Sequence, residues 1–432
     1  MNNLNLRYQL EDKPSFWRNI LFGLQWLAIA MPMIIIVGKI VATLQFEDPS
    51  QQIIYIQKVF FVIGLSILIQ VIWGHKLPLV IGPASVLLVG ITASQGAGIN
   101  TIYSSILIGG LILTLISISG LFEHLKKLFT PRVVVTILML ISFTLIPMII
   151  NLLFANSAVI SPLTNLLFAL AFVFSLFLAN KFLTGIWKST LIIWGMVLGS
   201  IIYALLFPEG IASVSASTGF ISGFFTDFNT RIFPLEIGTL ISFLICFIAL
   251  AINDLGSIQA IGGMLNVDNM PKRISKGITL TGVLNIISGF FAVIGPVNYS
   301  MSPGVIASTS VASRYPLIPA GIALVILAFF PPALNLIAVI PSVVIGSTFI
   351  YTLCSQLAAG LMLAFNSMKD FRLEYGLIIG LPLMLSILIS FLPEAVVISF
   401  PTWLRPILGN GFVVGVLAVL VMEHIIYKKL KS

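Results

Sequence analysis

An asparagine and an aspartate, Asn253 and Asp254, stand side by side inside a long apolar run of the sequence. A carboxylate within a membrane span costs about 2.5–3.5 kcal/mol on insertion scales, so it faces a cavity, pairs with another group or stays protonated. Asp254 could therefore carry a proton, or it could be a structural residue that caps or pairs within the protein. The neighbouring Asn253 offers both a donor and an acceptor, which suits recognition of a neutral polar ligand but excludes proton uptake.

Two segments that contain Ile-Gly-Pro interrupt the apolar sequence in another way. They span residues 77–94 and 290–314, and small or polar residues follow the Gly-Pro pair in both. Irregular backbone at membrane depth persists only where protein or a water-filled cavity satisfies its N–H and C=O groups. We therefore expect Gly82-Pro83 and Gly295-Pro296 to end short extended segments that lead into half-helices, whose N-terminal N–H groups point at a polar ligand. Two ordinary kinked helices are the alternative, because Pro and Gly are common in membrane helices.

The composition of the chain is that of an integral membrane protein. Of its 432 residues, 59% are hydrophobic and 8% are charged, which is far from the balance of soluble domains. Apolar runs of about eighteen residues or more can cross a hydrocarbon core of about 30 Å as helices. The sequence therefore predicts an all-α polytopic membrane protein with fourteen transmembrane segments, at 16–44, 53–73, 77–97, 102–121, 132–153, 162–180, 189–207, 236–264, 277–295, 297–313, 316–331, 334–365, 373–391 and 394–425.

The distribution of positive charge supports this number of spans. With the N-terminus in the cytoplasm, the cytoplasmic segments hold all 22 Lys and Arg residues except Lys39, Lys58, Arg231 and Arg405. The positive-inside rule thus places both termini in the cytoplasm. Fourteen spans form two repeats of seven, and the odd number inverts the second repeat. The two Ile-Gly-Pro segments then become spans 3 and 10 and run antiparallel, as at the ligand sites of inverted-repeat membrane proteins.

Several short motifs follow one another along the chain in a fixed order. They are Leu77-Pro78 with Gly82, Ile287-Ser288-Gly289-Phe290-Phe291, Tyr299, Gly304 with Thr309, and Ile340-Pro341 with Gly346. In this order and spacing they resemble the motifs of the nucleobase–ascorbate transporters, also called the nucleobase:cation symporters of the second type. The resemblance covers nearly the whole chain and includes the bacterial xanthine and uracil permeases.

The resemblance implies two intertwined domains and a transport function rather than an enzyme. A core that holds the substrate would comprise residues 1–130 and 235–332, and a gate residues 131–234 and 333–432. It also implies uptake of a nucleobase through the cell membrane, usually with a proton or another cation, by a carrier that is commonly a homodimer. The segment 309–314 is more similar to that of xanthine-type than of uracil-type carriers, so a purine such as xanthine is the preferred substrate.

The sequence departs from the family pattern at three places in the implied site. Asn253 stands where the family has an acid, and Asp254 is displaced from that position by one residue, which makes it the candidate for proton coupling. Met301 and Ser302 replace the Gln or Glu and the Asn of the tenth-span signature, and Trp26 replaces the His of a first-span pair. Other groups must therefore supply the polar contacts to the base that the replaced residues make in the family.

The residues that we expect to contact the base come from spans 1, 3, 8 and 10 and are Trp26, Ser85, Asn253, Tyr299, Ser300, Met301 and Ser302. Asn253 would read the donor and acceptor edge of the base. Backbone N–H groups at residues 300–302 would bind a carbonyl oxygen, and the two aromatic rings would stack on the base. Trp26 and Tyr299 could instead be ordinary core aromatics, and Met301 could merely fill space.

The rest of the sequence offers little other chemistry. Cys246 and Cys354 lie in apolar runs, and the three histidines, His75, His124 and His424, stand at cytoplasmic loop edges where we expect them to face solvent. None of these residues has metal-ligand spacing, so we expect no metal and no cofactor other than a proton. The net charge of +8 comes without an aromatic-interleaved basic patch, so we expect no binding of nucleic acid.

Other functions stay open on the sequence alone. A nucleobase carrier could work as a proton-independent facilitator or could prefer uracil. A small-anion transporter of the same architecture would benefit from two facing half-helix N-termini and the lack of a glutamate at the midplane. A membrane receptor that does not transport is the third alternative, and it would bind a base without accumulating it.

Overall fold

The computed structural model of the protein describes residues 6–122, 128–210, 235–299, 302–367, 372–401 and 403–428. The elements of the N-terminal half are α1 (Phe16–Gln45), α2 (Pro49–Ile72), β1 (Ile81–Pro83), α3 (Ser85–Ala93), α4 (Ile99–Ile118), α5 (Pro131–Thr144), α6 (Ile146–Leu153), α7 (Pro162–Phe182), α8 (Gly185–Ser189) and α9 (Leu191–Leu206). Those of the C-terminal half are α10 (Ile237–Met264), α11 (Met270–Phe290), β2 (Pro296–Asn298), α12 (Ser302–Thr309), α13 (Leu317–Ala328), α14 (Pro331–Ala338), α15 (Ser342–Ser367), α16 (Leu373–Ser390), α17 (Glu394–Ser399), α18 (Arg405–Leu408) and α19 (Gly411–Val421).

The helices confirm the predicted polytopic membrane fold. Within the described ranges, eight helices are long and apolar enough to cross a membrane, and three shorter apolar helices join them. Every helix except the short α8 falls largely within one of the fourteen predicted spans. The fold is therefore compatible with two inverted repeats of seven spans.

Besides the two segments that contain Ile-Gly-Pro, three predicted spans are divided into more than one helix. Span 5 is interrupted at Leu145, between α5 and α6, and span 12 is divided at Pro341 into α14 and α15. The last span is divided near Pro401 and again at Gly409-Asn410, into α17, α18 and α19. Proline lacks the N–H that a helix interior needs, and Pro147, Pro341 and Pro401 lie within two residues of the first break in each of these spans.

The two Ile-Gly-Pro segments meet in the middle of the fold. Strands β1 and β2 pair antiparallel, with Ile81 opposite Asn298 and Gly82 opposite Val297. The pairing satisfies backbone groups for which lipid offers no partner. Helices α3 and α12 follow β1 and β2 within a few residues, so each extended segment leads into a half-helix, as predicted.

The helices pack in two groups around this crossing. In the first group α4 lies on α11 and α2 on α13, and α10 lies against α3 and α4. In the second group α5 and α7 lie against α15, and α16 lies against α19. Each group draws helices from both halves of the chain. The division into core and gate after residues 130, 234 and 332 stays a prediction.

The N-terminal segment lies beside the end of the second half-helix. Tyr8 forms a parallel bridge with Val311, and Arg314 donates to the Glu11 carboxylate at 2.9 Å. The guanidinium of Arg314 also donates to the carbonyl of Val71 near the end of α2, at 2.7 Å. Three segments that the charge distribution assigns to the cytoplasm thus meet at one edge of the protein.

Candidate binding site

A cavity of about 390 Å³ lies between the two groups of helices. Its first wall is formed by α10, the start of α3 and the residues around β2, and its second wall by α5 and α15. Small-molecule sites typically measure about 300–1,000 Å³, so the cavity has the size of such a site. A ligand here would touch both groups of helices at once.

Three of the residues predicted from the sequence line this cavity together. Ser85 is the first residue of α3, Asn253 lies in the middle of α10, and Tyr299 follows β2 directly. They are separated by up to 214 positions in the chain, and they are brought together because β1 pairs with β2 and the amide of Asn253 donates to the carbonyl of Asn298 in β2. That they bind a ligand stays a prediction.

The other predicted contacts lie elsewhere. Trp26 is buried and is not part of the described cavity wall. Ser302 is fully buried, and its hydroxyl accepts from the N–H of Val80 at 2.9 Å and donates to the carbonyl of Tyr299 at 3.2 Å. It therefore joins the two strands. Ser300 and Met301 lie outside the described residues.

The ring of Tyr299 is held in place by strand β1. Its hydroxyl donates to the carbonyl of Pro83 at 2.7 Å, and its N–H donates to the carbonyl of Val80 at 2.8 Å. A Cβ atom added to Gly82 would lie 2.5 Å from the ring, so only a glycine admits Tyr299 at this distance. The ring is thereby fixed at the cavity wall.

Asp254 is fully buried next to the cavity but does not line it. Its Oδ2 accepts from the hydroxyl of Thr281 at 2.7 Å. Its Oδ1 accepts from the backbone N–H of Asn298 at 2.9 Å and from the side-chain amide of Asn298 at 2.6 Å. Three donors from α11 and β2 thus satisfy the carboxylate, as a buried charge requires.

The expectation that His75 faces solvent is wrong, because the ring is fully buried. Lys76 adopts a left-handed conformation, with φ of 56°, and the chain turns His75 inward. The N–H of Leu77 donates to Nδ1 at 2.9 Å, and Nε2 lies 3.1 Å from Oδ1 of Asn298. His75 lies in the connection after α2, outside the spanning helices, and burial lowers its pKa to about 3; the bond to Asn298 opposes this effect and the charge of Arg273 adds to it.

Acid should therefore destabilise the folded protein through His75. The ring is neutral in the folded protein but takes up a proton in the unfolded chain below pH about 6.5. Its contribution to stability is complete above that pH and declines by about 1.4 kcal/mol per pH unit below it. The decline ends near pH 3, where His75 is protonated in the folded protein too.

Melting temperatures in detergent between pH 7 and 4 measure this loss of stability, and His75→Gln should flatten the slope of melting temperature against pH. Equal slopes in the wild type and in His75→Gln would contradict the assignment.

Sequence reasoning missed the polar residues of the second wall. Thr352, Ser355 and Gln356 on α15 all line the cavity. Their spacing of i, i+3 and i+4 places them on one face of the helix, and that pattern could have revealed them. Thr352 and Ser355 also donate to carbonyls of their own helix, at 2.9 and 3.1 Å. Gln356 is a half-buried amide opposite the wall that holds Asn253. Within the described chain, no three His, Cys, Asp or Glu side chains are grouped as a metal site would need.

The fold is shared with a transporter of known structure. The transmembrane domain of the cyanobacterial bicarbonate transporter BicA superposes with a TM-score of 0.60 at 16% sequence identity. The match covers 88% of this chain and 98% of that domain. At this identity the likeness concerns the fold alone.

Sequence comparison identifies the family. Residues 18–395 match the model of the Permease family. A nucleobase transporter of Paenibacillus larvae is 26% identical over 87% of this chain and 87% of its own length. The xanthine permease of Bacillus subtilis is 26% identical over 93% of this chain and 90% of its own length. The chain therefore belongs to the Permease family, among the nucleobase:cation symporters of the second type.

Proposed function

We propose that the protein is a secondary carrier that imports a nucleobase, preferably a purine such as xanthine, across the cell membrane. The observation that carries this proposal is the cavity between the two groups of helices, in which Asn253 and Tyr299 face Gln356. The names of the relatives and the xanthine-type ending at 309–314 support a purine over uracil. Cytoplasmic termini and a homodimer belong to the same proposal.

The wall residues offer the contacts that a planar base requires. Asn253 donates one amide N–H to the carbonyl of Asn298 at 3.4 Å, so its oxygen and its second N–H are left for a ligand. That pair matches the adjacent N–H and C=O of a lactam edge, which both xanthine and uracil carry. Tyr299 supplies a ring for stacking. Gln356 supplies a second amide from the opposite wall, so a bound base would bridge the two groups of helices.

A small anion is the second candidate, because BicA shares the fold. Two half-helix N-termini lie near the cavity, which would suit a negative charge. However, none of the described residues that line the cavity is Arg or Lys. Burial of an anion without a paired cation is costly, whereas a neutral base needs only the amides and the ring that are present. The cavity wall therefore favours a base.

Proton coupling is the finer part of the proposal, and Asp254 is its candidate. Among the residues that the structure describes, Asp254 and Glu423 are the buried acids. Glu423 is paired with Arg132 at 2.7 Å, at the ends of two other helices. Asp254 is the acid that adjoins a cavity residue, Asn253. A facilitator without coupling stays the alternative.

The proposal is tested by uptake into cells that lack their own nucleobase carriers. Radiolabelled xanthine, hypoxanthine, guanine and uracil would be compared with radiolabelled bicarbonate and sulfate. We expect saturable uptake of at least one purine and none of either anion. Uptake of an anion without any base would favour the second candidate, and binding of a base without uptake would favour a receptor.

Replacement of Gly82 by alanine should weaken uptake by displacing Tyr299. The new Cβ would lie 2.5 Å from the ring and push it off its bond to Pro83. We expect KM for the base to rise by about ten-fold or more, as for the loss of one to two kcal/mol of binding. Gly263→Ala is the control, because a Cβ there meets no atom within 4 Å. Unchanged KM in Gly82→Ala, measured by initial uptake rates, would remove Tyr299 from the site.

A further inference from the structure

Asn298 uses every polar group that it has. Its backbone N–H and its side-chain Nδ2 donate to Oδ1 of Asp254, at 2.9 and 2.6 Å. Its side-chain oxygen lies 3.1 Å from Nε2 of His75. Its carbonyl accepts from the hydroxyl of Ser257 at 2.9 Å and from the amide of Asn253 at 3.4 Å. Four residues from two other segments of the chain therefore contact this one side chain and its backbone.

The chemistry of these neighbours permits one orientation of the Asn298 amide. The N–H of Leu77 donates to Nδ1 of His75, so the hydrogen of the neutral ring is on Nε2, which donates to the amide oxygen. The carboxylate of Asp254 can only accept, so it faces the amide nitrogen. A flipped amide would place donor against donor and acceptor against acceptor. His75 and Asp254 thus hold Asn298 from two sides.

Asn298 in turn touches two of the three predicted ligand contacts of the first wall, Asn253 and Tyr299. It precedes Tyr299 directly, and its carbonyl holds one N–H of Asn253. The position of Asn298 therefore sets the direction of the Asn253 amide and the start of the segment that carries the Tyr299 ring. It does not itself line the cavity.

We propose that Asn298 is a positioning residue that links the buried pair of His75 and Asp254 to the substrate-facing Asn253. This inference rests on the proposed function, in that Asn253 reads the base. A change in the hydrogen bonding of Asp254 is transmitted to the binding amide through Asn298, without any contact between Asp254 and the base. Asn298 is buried to 1% exposure, which keeps water from replacing either side of the link.

Two substitutions at residue 298 test the link, and one matched substitution controls for the loss of a buried asparagine. Asn298→Leu removes both side-chain bonds, and Asn298→Asp keeps the shape but places a second carboxylate against Asp254. Asn165→Leu makes the same change at a fully buried asparagine of α7, which does not line the cavity and whose oxygen accepts from Tyr203 at 2.9 Å. Initial rates of xanthine uptake give KM and Vmax for each protein.

We expect KM to rise by about ten-fold or more in both Asn298 variants, with a smaller change in Vmax, and to stay unchanged in Asn165→Leu. A purely structural role would lower Vmax through loss of folded protein and leave KM alone. Equal KM values in all proteins would overturn the proposal.

A second measurement needs no substrate. Hydrogen exchange of the purified protein reports on the backbone N–H of Asn298, which Asp254 protects. Asp254→Asn keeps the shape but replaces the charged acceptor of this N–H with a neutral amide, so it should accelerate the exchange by about ten-fold, and Asn165→Leu should not. Unchanged exchange would overturn the link even if uptake were normal. If the wild type takes up no base, the proposed function fails, and the exchange rates alone decide whether Asp254 and Asn298 are coupled.

Discussion

Asn253→Ala should abolish nucleobase uptake. The alanine removes the one described side chain of the α10 wall that offers a donor and an acceptor together. A base in the cavity would then keep an N–H and a C=O without partners, at about 1–3 kcal/mol each. We expect the ratio of Vmax to KM to fall by about a hundred-fold or more.

Comparison with Met301→Ala sharpens this prediction. A methionine side chain offers no pair of hydrogen-bond donor and acceptor. The backbone N–H groups of the half-helix should still bind the base in Met301→Ala, so the loss of uptake should be mild. Initial rates of radiolabelled xanthine uptake, normalised to carrier in the membrane, measure both variants. Equal and mild effects would remove Asn253 from the site.

Asp254 should give opposite results for two substitutions. Asp254→Ala leaves the hydroxyl of Thr281 and two donors of Asn298 without an acceptor in a fully buried place. At about 1–3 kcal/mol for each unpaired donor, this is a large part of a typical stability of 5–15 kcal/mol, so we expect little folded protein. Asp254→Asn keeps the shape and one accepting oxygen but cannot exchange a proton. We expect it to fold and to bind the base without accumulating it.

A protonophore distinguishes these outcomes. Accumulation of xanthine by the wild type should collapse when the proton gradient is dissipated, and Asp254→Asn should equilibrate xanthine at the same low level with or without the protonophore. The matched control is Asn165→Leu, which should accumulate xanthine in the same way as the wild type. If Asp254→Asn accumulates xanthine as the wild type does, another group carries the proton. If the wild type is indifferent to the protonophore, the protein is a facilitator.

Most of the fold could be predicted from the sequence, because apolar run length and Gly-Pro pairs reflect physical constraints on a chain in a membrane. Apolar run length sets the spans, and span 2, predicted at 53–73, is observed as α2 at Pro49–Ile72. Gly-Pro pairs at membrane depth predicted the two strands and their half-helices, since such backbone survives only when it is paired. Run length could not show the breaks at Leu145 and Pro341, because a kinked span has the same hydropathy as a straight one.

The site was predictable on one wall only. Motif positions led to Ser85, Asn253 and Tyr299, which the pairing of β1 with β2 and the bond from Asn253 to Asn298 bring together. Gln356 was missed because the helices of the second group were assessed for apolar length and not for a polar face. The burial of His75 was missed because a polar residue at a loop edge usually faces water. His75 is buried by the left-handed conformation of Lys76, and a lysine gives no indication of that conformation in the sequence.

Equilibrium binding of radiolabelled xanthine to the purified protein most directly tests the claim that the cavity binds a nucleobase through Asn253. The result depends neither on proton coupling nor on the amount of carrier in the membrane. We predict saturable binding to a single site per chain in the wild type, and loss of that binding in Asn253→Ala when both proteins have the same melting temperature. Saturable binding that is unaffected by Asn253→Ala, or no binding of any nucleobase to the folded wild type, would contradict the account.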